Sequence, residues 1–344
     1  MVILTGVNYT TKRCFFVKRS TVLKGICLPL SLLSLFLTTG CQGRTITNAY
    51  HNYNLPSQTE SQQLSESTLH LPDAFSANLA VLPQGFTNQF SYEADANEML
   101  LVNDSTNEIL YSKDSMKQTA PASTTKLLTA YIVLTQCNLN DTVVISDNIY
   151  LENGAVALFL KKGDRITVDE LLHGLLIESA NDCAVALANY VSGSVKEFAK
   201  LMNETAKSMG ATHSHFKNPH GLDETGHYSC AYDLYLILKK DLEIPHFVEI
   251  VSTREYTVTY HDEEGEKIKI PITSTNHYFS ELAKVPDQIT IIGGKTGTTS
   301  GAGHCLVLSA QNAKQEQLIG VVLHAGDKTE LYDIMSHLLT QNQN

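Results

Sequence analysis

The sequence predicts an α+β fold, an α-β sandwich in which an antiparallel five-stranded sheet is flanked by helices. Three observations predict it: two short strand-like segments come first, a block of capped helices fills the middle, and three strand-like segments with a closing helix end the chain. With 344 residues, 43% hydrophobic and 18% charged, the chain suits one large domain with appendages.

Taken in order, the amino terminus reads as an export signal. A basic stretch precedes the apolar run Gly25 to Leu37, which is short for a membrane span and ends in small residues. Leu37-Thr38-Thr39-Gly40-Cys41 resembles a bacterial lipoprotein cleavage site, with Cys41 as the lipidated first residue of the mature protein. Thr38 stands where that pattern prefers Leu, and an ordinary signal peptide or an uncleaved anchor remains the alternative. Residues 1–40 are thus expected to be a lipoprotein-type signal. Residues 41–75, rich in Ser, Thr, Gln and Asn, are expected to form a flexible tether, and 76–344 the folded domain.

Within that domain, Glu98 to Asn103 and Glu108 to Lys113 look like strands around the turn Asp104-Ser105-Thr106-Asn107. Pro121 precedes a helical pattern through Leu127, Leu128, Tyr131 and Leu134. After mixed strand and loop from Thr142 to Ile166, Thr167 with Glu170 and Ser194 with Glu197 fit the capping box, in which side chain and backbone satisfy each other. Between them Asp182 to Val191 reads as a helix ended near Gly193, and Gly210 stops the helix begun at Ser194. A turn-rich loop, Asn218 to Tyr228, leads to another helix after Ser229. Arg254 to His261 and Glu266 to Ile272 alternate around Glu264-Gly265, as in a hairpin. Thr290 to Thr299, His304 to Gln311 and Leu318 to Ala325 read as strands, and Lys328 to Leu339 as the closing helix.

Composition excludes some functions. The formal charge is −11, and Lys12, Arg13, Lys18, Arg19 and Lys24 all fall in the first forty residues, so the remainder is more acidic still. Such a body repels phosphate backbones, which argues against nucleic acid as a partner and against polybasic membrane docking. Cys137, Cys183, Cys230 and Cys305 sit among apolar residues and read as small buried hydrophobes, although three disulfide pairings remain open. Neither Cys-x-x-Cys nor His-Glu-x-x-His occurs, and the histidines from His213 to His227 read as a polar loop, so no metal or other cofactor is expected.

Three short motifs carry chemistry: Ser123-Thr124-Thr125-Lys126, Ser179-Ala180-Asn181 and Lys295-Thr296-Gly297. Each alone is a weak signal. Ser-x-x-Lys recurs at Ser214 to Lys217, and Ser-x-Asn also starts at Ser76, Ser105, Ser146 and Ser274, whereas Lys-Thr-Gly occurs once. Context separates the copies. Ser123 opens a helix, where the dipole favours developing negative charge, and Lys126 follows one turn later on the same face. An ordinary lysine, with a pKa of about 10.4, is almost wholly charged at neutral pH, so a basic Lys126 requires burial or a neighbouring cation, for which Lys295 is the candidate. Ser179 lies between two helices and is expected to project into a cleft. Ser146-Asp147-Asn148 is its rival, but it precedes the helical block. Lys295 to Thr298 suit a strand that offers backbone groups to an extended peptide, with Lys295 and the threonine hydroxyls receiving a terminal carboxylate and Gly297 letting the ligand come close.

In this order the motifs match the Ser-x-x-Lys, Ser-x-Asn and Lys-Thr-Gly elements of penicillin-binding proteins and serine β-lactamases. From about Glu98 to Leu339 the chain resembles the low-molecular-weight D-Ala-D-Ala carboxypeptidases, family S11 of serine peptidases. The matching stretches are Ala120 to Leu127, Leu175 to Asp182, Phe216 to Leu222 and Gly294 to Thr299. The resemblance implies a penicillin-binding protein or serine β-lactamase-like fold and an acyl-enzyme on Ser123, with Lys126 accepting its proton. It implies that Ser179 relays a proton to the leaving D-alanine, that Asn181 orders Lys126 and the substrate amide, and that Thr296, Gly297, Thr298 and Thr299 join Lys295 in binding substrate. The oxyanion hole would be the N–H groups of Ser123 and Thr298. Peptidoglycan stem peptides ending in D-Ala-D-Ala would be the substrate, β-lactams covalent inhibitors, and the enzyme would act outside the cytoplasm. Ala180 departs from the usual Gly, which suggests a tighter loop, and the second domain and terminal helix of many relatives are expected to be missing. A DD-endopeptidase or transpeptidase on the same site stays open. So does a β-lactamase, against which stands the lack of Glu-x-x-Leu-Asn between Asn181 and Lys295. A non-catalytic wall-binding lipoprotein would not need Ser123, Lys126 and Lys295.

Overall fold

The computed structural model describes residues 78–94, 96–152 and 154–341. The expected signal, Cys41 and the tether lie outside the described residues.

Two strands, β1 (Glu98–Asn103) and β2 (Glu108–Lys113), form an antiparallel hairpin with the bounds expected from the sequence. Helix α1 (Lys126–Gln136) follows a single 3₁₀ turn, Ala122–Thr125. The mixed region holds two short strands, β3 (Thr142–Val144) and β4 (Arg165–Thr167). Helix α2 (Val168–His173) then runs into one wide π-helical turn, Gly174–Glu178. After it come α3 (Asn181–Ser192), α4 (Val195–Ser208), α5 (Ala231–Asp241) and α6 (Pro245–Val251). The chain closes with the hairpin β5 (Glu255–His261) and β6 (Lys267–Thr273), the strands β7 (Thr290–Thr299), β8 (Gly303–Gln311) and β9 (Gln317–Ala325), and helix α7 (Lys328–Thr340).

The main sheet is five-stranded and antiparallel, in the order β2-β1-β9-β8-β7. Both of its faces are covered. Leu100 and Val102 of β1 pack with Leu127, Leu128 and Leu234 of the helical block, while the alternate residues Met99 and Leu101 pack with Met335 and Leu338 of α7. Burial on both faces explains why β1, β8 and β9 read as nearly continuous apolar runs. Strand β7 is an edge, paired only with β8, so its other side is free to face a ligand.

Three features differ from the sequence reading. The hairpin β5–β6 joins β3 and β4 in a second, four-stranded sheet, held to β4 through a single residue pair, Arg165 with His261. Helix α6 was not expected: at seven residues it is too short for a periodic signal, and only Pro245 at its first turn marks it. The capping boxes are half-formed. Thr167 and Ser194 accept from the N–H groups of Glu170 and Glu197, contacts typically worth about 1 kcal/mol each. Glu170 however turns to Thr259 and Tyr256, and Glu197 to Lys200, rather than back to the caps.

Candidate active site

The site is assembled where α1, the turn before α3 and the edge strand β7 meet. Ala122 has φ +47°, an uncommon value for a residue with a side chain, and Thr124 Oγ1 donates to the Pro121 carbonyl at 2.6 Å. This 3₁₀ turn presents Ser123 half-buried at the head of α1. Lys126, the first residue of α1, is fully buried. Its Nζ lies 2.8 Å from Ser123 Oγ, 2.7 Å from Asn181 Oδ1 and 2.8 Å from the His220 carbonyl oxygen. A neutral amine has two N–H donors and one lone pair. Asn181 and the His220 carbonyl can only accept here, so they take both hydrogens and leave the lone pair aimed at the Ser123 hydroxyl. Burial first, and then the Lys295 charge, hold Lys126 well below the ordinary lysine range.

The loop Asn218 to Gly221 is a part of the site that motif reading named only as a matching stretch. It brings the His220 carbonyl to Lys126, and Thr129 Oγ1 of α1 donates to the Pro219 carbonyl at 2.7 Å. Gly221, at φ +86°, is required there, because a Cβ would stand 1.8 Å from the Ala122 carbonyl oxygen. His227 accepts from Lys217 N–H at Nδ1, which leaves Nε2–H to donate to Thr125 Oγ1 at 2.9 Å. His215 Nδ1 meets the Gly226 carbonyl. These rings therefore have separate backbone and hydroxyl partners, and among the described residues no group of three or more metal-ligating side chains is gathered. Burial lowers His220 to about 3 and His227 to about 4, so both stay neutral, His220 beside Lys126 and His227 against Thr125.

The π-helical turn widens the end of α2 and stops at Ser179, whose φ of +67° is left-handed. The next residue, Ala180, is extended at φ −61°, ψ 126°. The strained position thus falls on Ser179, and an alanine at 180 fits without the tightening its departure from Gly suggested. Asp182 accepts from Leu158 N–H at 3.1 Å and Leu160 N–H at 3.0 Å, and Asn181 N–H donates to the Val156 carbonyl. These bonds pin residues 156–160, of which Val156 lines the cleft.

Strand β7 forms the opposite wall. A cleft of about 170 Å³ is lined by Ser123, Ser179, Thr296, Gly297 and Thr298, with Thr275 and Val156 among its other walls. Three expectations need refinement. Lys295 is buried beneath the cleft, donating to the Thr296 carbonyl at 2.9 Å, and burial lowers it to about 7. Gly297 is required by the protein itself, since a Cβ would stand 2.9 Å from Ser123 N. Thr299 is outside the cleft: its hydroxyl donates to Asp223 Oδ1 at 2.7 Å and accepts from Ala302 N–H, building the β7–β8 turn. Ser146 is also elsewhere, in a separate depression beside Asn189 and Tyr190. Thr275, His277, Lys328 and Tyr332 line the cleft without any sequence motif to announce them. Cys137, Cys183, Cys230 and Cys305 are all free thiols.

Residues 85–327 match the profile of the S11 peptidase family, described as D-alanyl-D-alanine carboxypeptidase. The chain belongs to that family. Among S11 relatives, D-alanyl-D-alanine carboxypeptidase DacF of Bacillus subtilis is 35% identical over 251 residues, which are 71% of this chain and 60% of the relative. DacC of Escherichia coli is 33% identical over 75% of this chain and 64% of its own length. The chain thus spans less than two thirds of these two S11 relatives. The crystal structure of the Streptomyces K15 DD-transpeptidase superposes with a TM-score of 0.67 at 28% identity, covering 73% of this chain and 97% of that one. The penicillin-binding protein fold expected from the motifs is the fold observed.

Proposed function

We propose that the protein is a serine D-Ala-D-Ala carboxypeptidase that removes the terminal D-alanine from peptidoglycan stem pentapeptides through an acyl-enzyme on Ser123. The observation that carries this reading is the placement of buried Lys126 Nζ 2.8 Å from Ser123 Oγ, with Asn181 Oδ1 and the His220 carbonyl oxygen as its other partners. The peptide lies along the free edge of β7. Ser123 attacks the carbonyl of the penultimate D-alanine as Lys126 takes its proton, and the N–H groups of Ser123 and Thr298 hold the oxyanion. Ser179 passes a proton to the departing amine, and water then releases the acyl group. The terminal carboxylate sits by Thr296 and Thr298 above Lys295. Asn181 offers its amide N–H groups to the substrate.

The protein works outside the cytoplasm, held by lipid on Cys41 through a tether ending near residue 75. Among the described residues no helix is long and apolar enough to cross a membrane. A diacylated or triacylated cysteine buries enough methylenes, at about 0.8 kcal/mol each, to hold the protein without help from its acidic surface. Cys41→Ser should release the protein from the membrane fraction and leave D-alanine release in solution unchanged; persistent membrane association after signal cleavage would remove the anchor from this account.

Transpeptidation is the second reading, favoured by the likeness to the Streptomyces K15 DD-transpeptidase. Incubating the protein with a peptide ending in D-Ala-D-Ala, with and without a D-amino acid acceptor, separates the two. Free D-alanine with an unextended product supports carboxypeptidase action, while exchange of the acceptor into the product supports transpeptidation. Rapid turnover of penicillin would point to a β-lactamase instead.

A further inference from the structure

Phe159 is a large apolar ring held in water by a strained backbone. Its side chain is 77% exposed and its φ of +61° is left-handed, while both neighbours, Leu158 and Leu160, are buried. The cause of the bend is Asp182. That buried carboxylate accepts from Leu158 N–H on one oxygen and from Leu160 N–H on the other, so the chain between them turns at residue 159. Glycine or asparagine takes such a conformation readily, whereas an aromatic residue takes it at a cost. Packing does not repay that cost, because Phe159 belongs to neither hydrophobic core. A strained position that the core does not explain points to a use at the surface.

The surrounding bonds place that surface at the site. Asp182 follows Asn181 at the start of α3, and Asn181 N–H donates to the Val156 carbonyl at 2.8 Å. Residues 156–160 are thus fastened to the same turn that presents Ser179 and Asn181. Val156, itself 44% exposed, lines the cleft, and Phe159 stands three residues further along the same segment. The exposed apolar surface is therefore continuous with the cleft.

Resting on the carboxypeptidase reading above, the charges decide which part of a bound peptide meets this wall. Lys328 lines the cleft and Lys295 lies beneath Thr296, so the terminal carboxylate is drawn to the side of β7 and α7. The residues before the scissile bond then run towards Asn181 and Val156. A valine and a phenylalanine offer them apolar area and no charge, which rewards methylene groups.

We propose that Phe159 and Val156 extend the cleft on its acyl side and receive the aliphatic side chain of the residue that precedes D-Ala-D-Ala, so that the enzyme favours a long chain there over a short one. The strained turn keeps the ring at the rim of the cleft instead of letting it fold into the core. Contacts with this side chain hold the substrate through acylation, so their effect is read in kcat/KM.

The test uses the full-length protein and three acetylated peptides ending in D-Ala-D-Ala, with glycine, alanine or norleucine as the preceding residue. For the wild type, kcat/KM for D-alanine release is expected to rise along that series, with norleucine at least about tenfold above glycine. Phe159→Gly removes the ring but suits a φ of +61°, so the turn is kept. It is expected to cut the norleucine-to-glycine ratio at least about fivefold, while Phe159→Tyr holds the ratio within about twofold of the wild type. The ratio is the readout because damage to the loop alone lowers both peptides alike and leaves it unmoved. A wild-type ratio below about threefold, or a ratio that Phe159→Gly leaves unchanged, would overturn the proposal, and continued D-alanine release would leave the carboxypeptidase reading standing. No D-alanine from any of the three peptides, together with no reaction with penicillin, would sink that underlying reading instead.

Discussion

The chain holds two Ser-x-x-Lys sequences, and the structure treats them oppositely. In the first, Ser123 stands on a strained turn and Lys126 is buried beneath it with three polar neighbours. In the second, Ser214 Oγ donates to Asp233 at 2.7 Å, while Lys217 is exposed. A lysine becomes a base when water is removed from it and both of its hydrogens are engaged, and an exposed lysine meets neither condition. What distinguishes the copies is therefore the elements packed around them: the loop at His220, the start of α3 and the edge of β7.

The comparison is broken most severely at its centre. Lys126→Ala should lower D-alanine release by at least about a thousandfold, read as kcat with the fold checked by thermal melting, because among the described residues Lys126 is the base in hydrogen-bond contact with Ser123 Oγ. Next in size, Ser179→Ala should cost about a hundredfold or more in kcat while Ser146→Ala changes little. The reverse order would mean that the depression beside Asn189, and not the cleft at Ser123, belongs to the reaction.

A smaller effect concerns pH. Lys126 acts neutral, so kcat/KM rises as pH climbs through its lowered pKa; Lys295 acts charged, so kcat/KM falls again as pH passes about 7. A bound terminal carboxylate favours charged Lys295, and the alkaline limb of kcat should therefore lie above that of kcat/KM. Coincident limbs would remove Lys295 from carboxylate binding. Smallest of all, Ser214→Ala should alter kcat by less than about twofold, since its hydroxyl braces Asp233 and Ser229, away from the cleft.

The framework of this fold was legible because its signals are local. Strands buried on both faces give apolar runs, and Thr167, Ser194, Gly193 and Gly210 mark helix ends by their own chemistry. The three motifs were legible as a set, since their order and setting pick out one copy of each. The parts that were not legible depend on contacts between distant segments. Nothing local announces that the His220 carbonyl, 94 residues from Lys126, completes its hydrogen bonding. The same holds for Lys328 and His277, which meet at the cleft only because α7 packs beside the loop before β7. Thr299 illustrates the opposite error: it continues the motif in sequence, but Asp223 from another loop turns it away from the cleft.

The central claim is that one serine, activated by one buried lysine, carries the acyl group. Its most direct test is brief exposure of the protein to penicillin, followed by proteolysis and mass-spectrometric mapping of the adduct. The account predicts a single acylated peptide containing Ser123, absent from Ser123→Ala and strongly reduced in Lys126→Ala. An adduct on the peptide holding Ser214 or Ser146, or unchanged labelling without Lys126, would contradict it.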